Sequence, residues 1–199
     1  MKIAAVFATV VLSACATTAP DHFYRLVDRG NNISANAGAG AGAPMRAIPP
    51  VAVGPVSVPD LVDRPQIVTL GPGSRVQLSE QNRWAEPLKL AIGRLVAERM
   101  ATSLGSPLVT AYPADAGIEA AYRVSLSVQR FDSELGSAAS ATVLWTVRRM
   151  SDGQLRSGRT ALSQRPVDAS FDAIVVAHAL SLARIGDEIA QVILAMQTP

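Results

Sequence analysis

The chain has one cysteine, Cys15, and two histidines, His22 and His178, in 199 residues. A lone thiol forms no intramolecular disulfide, and no His/Cys/Asp/Glu cluster stands at metal-ligand spacing. Neither a disulfide framework nor a metal site is therefore expected. Aromatic residues make up 5% and charged residues 17% of the chain. Neither sign of charge dominates: with Lys2 set aside, 17 basic side chains face 16 acidic ones. That balance argues against nucleic acid as a partner. Lysine is nearly absent, with Lys2 and Lys89 the only two. No apolar run is long enough to cross a bilayer. The longest early run, Ile3 to Leu12, covers about 15 Å as a helix, against a hydrocarbon core of roughly 30 Å.

Signature loops are missing too. The Gly-rich turn Gly71-Pro72-Gly73-Ser74 lacks the lysine and following Ser/Thr of a phosphate loop, and a strand follows it instead of a helix. No Gly-x-Ser-x-Gly elbow is present. A Ser/His/Asp arrangement assembled only in three dimensions stays open, but the expectation is that the chain is not an enzyme and holds no cofactor.

What is present begins at the N-terminus. Lys2, the apolar stretch Ile3 to Leu12 and the small residues that follow make a signal peptide over residues 1–14. Leu12-Ser13-Ala14-Cys15 resembles the lipobox of bacterial lipoproteins, which implies cleavage before Cys15 and acylation of its thiol. Two or more acyl chains give stable anchoring where one gives only marginal binding. An exported chain with an odd cysteine also needs such an explanation. Ala16, where an inner-membrane lipoprotein of the enterobacterial type carries aspartate, implies sorting to the outer membrane. Residues 15–20 then form a lipidated tether. Ala16 to Pro20 reaches less than about 20 Å when extended, so the domain sits close to its membrane.

Residues 21–199 read as one domain. Apolar content of 49% supports a core of that size. His22 to Asp28 alternates as a first strand, with Tyr24 and Leu26 on one face and Phe23, Arg25 and Val27 on the other. Residues 30–50, with Ala37-Gly38-Ala39-Gly40-Ala41-Gly42-Ala43, read as a flexible Gly/Ala-rich loop, too poor in large apolar groups to offset its ordering entropy. Val51 to Val58 is a second strand, placed at an edge or bulged because of Pro55 and Pro59. Gln66 to Leu70 and Arg75 to Ser79 form a hairpin. A first helix is expected from Asn82 as N-cap, with Pro87 in its first turn and Gly105 at its end. Leu88, Ile92, Leu95, Val96, Met100 and Leu104 supply its apolar face, and Arg94, Glu98 and Arg99 its solvated one. A short strand near Pro107 to Pro113 precedes a meander: Tyr122 to Gln129, Ser140 to Met150 and Leu155 to Arg165. Ser151-Asp152-Gly153 gives a type I′-like turn signal within it. The last helix, about Ser170 to Gln197, carries Phe171, Val175, His178, Leu182, Ile185, Ile189, Val192 and Met196 at 4-3-4-3 spacing. This order predicts an α+β fold, a mostly antiparallel sheet with two helices packed on one face.

Three segments carry a family likeness. Val53-Gly54-Pro55-Val56-Ser57-Val58-Pro59, Asp63-Arg64-Pro65-Gln66-Ile67-Val68 and Asn82-Arg83-Trp84-Ala85-Glu86-Pro87-Leu88 resemble the ABC-type transport auxiliary lipoproteins, the family of paraquat-inducible protein C. Ala177-His178 in the last helix and a Tyr-Arg-Leu strand soon after the cysteine are also similar. The Gly/Ala-rich insert and the Gly-Pro-Gly-Ser turn depart from the pattern without touching these motifs. The resemblance implies an outer-membrane-anchored, periplasmic accessory of a trans-envelope system. Its partners are an MCE-domain protein and an inner-membrane ABC transporter, and its cargo is phospholipid or another hydrophobic compound.

Four residues are candidates for partner contact. Asp63 and Arg64 stand on a turn where a local ion pair or Asx turn is the plainer role. Arg83 and Trp84 pair residue types common in interface hot spots, although Trp84 also suits the edge of the core. Seven arginines (123, 130, 148, 149, 156, 159 and 165) fall in the meander with only Asp132, Glu134 and Asp152 as acids. They read as a solvated sheet face or as a surface for anionic groups. A homo-oligomeric ring would match a symmetric partner. Two other functions stay open: a structural lipoprotein without transport partners, and a small-molecule-binding or enzymatic domain with a pocket between sheet and helices.

Overall fold

The computed structural model describes residues 20–28, 48–73, 75–113 and 119–197. The signal peptide, the tether with Cys15 and most of the 30–50 loop lie outside the described residues. Eight strands and two helices follow in the order β1 (His22–Tyr24), β2 (Val51–Ser57), β3 (Gln66–Leu70), β4 (Val76–Trp84), α1 (Leu88–Leu104), β5 (Val109–Ala111), β6 (Tyr122–Glu134), β7 (Ala138–Arg149), β8 (Leu155–Gln164) and α2 (Phe171–Met196).

The strands form two sheets, of order β1-β4-β3 and β5-β2-β6-β7-β8. The meander β6-β7-β8 is antiparallel, with Val124 opposite Val147 and Leu126 opposite Trp145. The fold is α+β as expected, but part of it is parallel: β2 pairs parallel with both β5 and β6, and β1 with β4. Parallel neighbours need a long crossover. Here the β3–β4 hairpin and α1 lie between β2 and β5 in the chain. Reading hairpins alone hid that crossover.

Pro55 is not on an edge strand. β2 lies between β5 and β6, and the register slips between Val53 and Val56. The bulge takes Pro55, which has no N–H to donate, out of the ladder. Val51 and Val53 keep their inward positions and are 1% exposed.

The first helix starts later than its Asn82 signal. β4 runs on to Trp84, because Asn82, Arg83 and Trp84 pair with His22, Phe23 and Tyr24 of β1. Asn82 is occupied by that pairing and by the Tyr24 hydroxyl, which donates to its Oδ1 at 2.9 Å. α1 begins after Pro87, which serves as N-cap with no side-chain hydrogen bond. Arg83 and Trp84 are therefore at a strand end. Gly105 ends the helix in the left-handed region, at φ 60°. The turn after β7 is not type I′. That turn needs two residues with positive φ, and only Gly153 supplies one.

Both helices cover the same face of the large sheet. Gly186 of α2 lets them approach closely; a Cβ there would lie 3.1 Å from the Cβ of Arg99. Ser170 caps α2 by accepting from Ala173 N–H at 3.1 Å. Val175, His178, Leu182, Ile185, Ile189 and Met196 are buried as the spacing predicts, while Phe171 and Val192 are only partly so. Ile174 and Ile193 are buried as well, because α2 packs on α1 besides the sheet.

Candidate partner-binding site

The motifs singled out in the sequence meet in space. Asp63, Arg64 and Pro65 form one wall of a groove of about 280 Å³, and Trp84, Ala85, Glu86, Pro87 and Leu88 form the other. The turn before β3 is held by Val62 and Asp63 N–H, both donating to Pro59 O. The backbones are then tied across the groove: Trp84 N–H donates to Pro65 O at 2.7 Å, and Ala85 N–H to Tyr24 O at 2.9 Å. The hairpin, β1 and the start of α1 thus converge here.

The charges lining the groove are not equivalent. Asp63 faces Lys89 at 3.3 Å. Glu86 is held by Arg94 at 2.7 Å and lies 3.8 Å from Arg25. Arg64 has no ion pair among the described residues, and its Nε is buried without an acceptor. A buried donor left unmade is costly, and the Arg64 side chain lines the groove beside it.

Trp84 is 7% exposed and belongs to the core. Its ring meets Phe131 edge-on at 6.3 Å, and Phe131 stacks on His178 at 3.9 Å. Trp84 shapes the groove wall from inside the fold. Arg83 does not join the groove: its Nε donates to Glu80 O at 2.9 Å. His178 is fully buried, with Nε2 and the Ser133 hydroxyl 2.9 Å apart. Burial pushes its pKa down to about 3, so the ring is neutral. His22 is exposed at the start of β1.

Arg94 and Arg99 are not merely solvated, as their place on the polar side of α1 suggested. Arg94 also donates to Leu26 O at 2.9 Å, latching the segment after β1 onto α1. Arg99 grips Asp187 of α2 with two bonds, at 2.7 and 2.9 Å, and lies 3.6 Å from Asp28. Partial burial of the Asp187 carboxyl opposes ionisation. Hydrogen bonds from Arg99 and Ser103 outweigh that and hold its pKa below the usual carboxylate range. These links join residues 68 and 88 positions apart, a pairing that periodicity along the chain cannot reveal.

Among the described residues, no group of three or more His, Cys, Asp or Glu could hold a metal. No described helix is long and apolar enough to cross a membrane.

No curated protein matches the chain. A solved structure of an uncharacterized protein aligns at TM-score 0.67 and 18% identity, over 88% of this chain and 99% of the other. A protein from Xanthomonas campestris aligns at TM-score 0.62 and 18% identity, over 75% of this chain and 86% of that one. These likenesses establish a shared fold. The PelC dodecamer from Paraburkholderia phytofirmans aligns at TM-score 0.43 and 15% identity, over 71% of this chain and 86% of that one. So loose a match says nothing of how this chain assembles. The profile of the ABC-type transport auxiliary lipoprotein component matches residues 32–190. That match spans most of the chain and takes in all three motifs and both walls of the groove, and the chain belongs to that family.

Proposed function

We propose that this chain is an outer-membrane-anchored periplasmic accessory that holds a protein partner of a trans-envelope ABC transport system, through the groove at Asp63, Arg64 and Trp84. The anchor is the acylated Cys15, and the partner is an MCE-domain protein that reaches across the periplasm from its ABC transporter. Cargo of this system is phospholipid or another hydrophobic compound. The chain catalyses nothing and takes no cofactor; hydrolysis of ATP belongs to the partner across the inner membrane.

One observation supports the contact most: Arg64 lines the groove without an ion pair among the described residues, while Asp63 and Glu86 beside it are both paired. A backbone carbonyl or carboxylate of a partner segment would complete it. Tight cross-ties between β1, β3 and β4 make the groove a rigid receptor, which lowers the ordering cost of binding.

A crosslinked pull-down from envelope membranes tests this reading. The acylated wild-type chain is expected to recover an MCE-domain protein. Arg64→Glu combined with Ala85→Gln, which reverses the charge and fills the groove, should lower recovery at least ten-fold while the melting temperature holds. Trp84 is unsuited to the test, because its removal damages the core. Recovery of no transport component by a folded, processed chain would leave a structural lipoprotein as the better reading.

A further inference from the structure

Among the described residues, nothing covers the face of the large sheet opposite the helices. Along β6 the outward residues are Arg123, Ser125 and Ser127; along β7 they are Leu144, Thr146 and Arg148; and on β8 Leu155, Ser157 and Arg159 pair with those of β7. Two adjoining hollows mark this face. One of about 360 Å³ is lined by Pro55, Ser57, Ser127 and Leu144, and one of about 330 Å³ by Gly54, Arg123, Arg148 and Leu155. They share Pro55, Ser125 and Thr146, and no carboxylate of the described residues lines either.

Arg123 and Arg148 are direct cross-strand partners. Like charges placed opposite each other destabilise a sheet. Neither arginine has an ion pair among the described residues. Arg159 is steadied by a neutral group: its Nε donates to Gln129 Oε1 at 3.1 Å. Farther along β6 the pattern differs, since Arg130 there is matched by Asp132. The repulsion is therefore confined to the hollowed part of the face, where an anionic ligand would relieve it.

Where the chain enters decides between a membrane and a protein. Residues after β1 pack over the helical layer, with Leu26 fully buried and Asp28 beside Arg99. β1, the first described element, also lies beside α2, with the Tyr24 ring 6.1 Å from that of Phe171, so the described chain starts on the helix side, across the molecule from the open sheet face. We infer that this face is a second docking surface, for an acidic protein segment. It rests on the reading of the chain as a tethered, partner-holding accessory. Arg159 stands opposite Leu144, four residues from Arg148 along β7, which is about 13 Å at strand rise. The fitting segment carries two acidic positions that far apart, four residues in an extended chain, with small or apolar residues between them over Ser125 and Thr146.

The test uses the acylated full-length chain in nonionic detergent and a short labelled peptide with glutamates four residues apart, read by fluorescence anisotropy. The peptide should bind, and its glutamine counterpart should bind at least ten-fold more weakly. Arg123→Glu with Arg148→Glu should weaken the glutamate peptide at least ten-fold with the fold intact. Arg123→Glu alone should weaken binding too while raising the melting temperature slightly, since it turns a repulsive pair into an attractive one. Equal binding of both peptides, or binding unchanged by the double reversal, overturns the inference. So does a parallel arm in which phosphatidylglycerol vesicles bind the Cys15→Ser chain through Arg123 and Arg148 while the peptide fails. If the peptide fails but the partner is still recovered through the Arg64 groove, only this surface is lost and the proposed function stands.

Discussion

Two faces of one sheet carry arginine in opposite ways. On the helix-covered side Arg94 meets Glu86, Glu98 and Leu26 O, and Arg99 meets Asp187 and Asp28. All of these but Arg94–Glu98, which lies within α1, tie separate segments of this chain together. On the open side Arg123 and Arg148 stand side by side, and no carboxylate among the described residues lines the hollow they share. The first arrangement is explained by folding. The second costs folding energy and is explained by something outside the chain. The groove at Arg64 resembles the second, since Arg64 has no ion pair among the described residues while Asp63 and Glu86 beside it do. Cations that the fold uses can thus be separated from cations it merely carries, and the proposed contacts are placed at the carried ones.

The largest effects should come from breaking the covered side. Leu182→Ala and Ile189→Ala each remove a side chain that is 0% exposed. Each should cost about 2–5 kcal/mol in chemical denaturation, the range for large-to-small core changes. A near-neutral result for both would mean that α2 does not hold the helical layer in place.

Acid should come next. His178 has a folded pKa of about 3 against an ordinary 6.5. Between those values the unfolded chain binds a proton that the native chain does not. Stability is therefore full above about pH 6.5 and falls as the pH drops toward 3. Asp187 acts in the same direction over a lower window, below its ordinary 3.8. Denaturation at a series of pH values should show a slope starting near pH 6.5 in the wild type, and a flatter one over pH 4.5–6.5 in His178→Leu. An unchanged slope would assign the acid sensitivity to another group.

Removing Arg99 strips Asp187 and the buried Asp28 of a shared cation. Arg99→Ala should cost about 1–3 kcal/mol, the scale of a lost charge-assisted bond that leaves a buried acceptor behind. The smallest expected effect has the opposite sign. Arg123→Glu should stabilise the chain by about 0.2–1 kcal/mol, as opposite charges across a strand pair do. If Arg99→Ala proved neutral and Arg123→Glu costly, the contrast between the two faces would collapse.

Much of this was legible in the sequence because it is local. The alternation of Tyr122, Val124, Leu126 and Val128 gave β6, the 4-3-4-3 spacing gave α2, and Gly105 marked the end of α1. Asp63, Arg64 and Trp84 were legible as a set, since the motifs that carry the family likeness also build the groove. Nonlocal pairing was not legible. Asn82 has the chemistry of an N-cap, but a parallel partner 60 residues earlier, His22, recruits it into β4. Pro55 and Pro59 signal an edge or a bulge, and only the strand pairing shows that it is the bulge, in a strand that sits between two others. Gly158 drew no reading from the sequence; in space it makes room for the Trp145 indole, which a Cβ there would meet at 2.2 Å. Arg94 and Arg99 read as solvent-facing because their acceptors lie on distant segments.

The most direct test of the account is a photoreactive residue in place of Ala85, inside the groove, set against one in place of Leu180, which is 46% exposed on α2 outside the groove. Both chains are acylated and illuminated in intact envelopes, and adducts are identified by mass spectrometry. The account predicts an MCE-domain protein crosslinked from position 85, lost on Arg64→Glu, and none from position 180. Equal yields from the two positions, or an adduct at 85 that Arg64→Glu leaves unchanged, would contradict it.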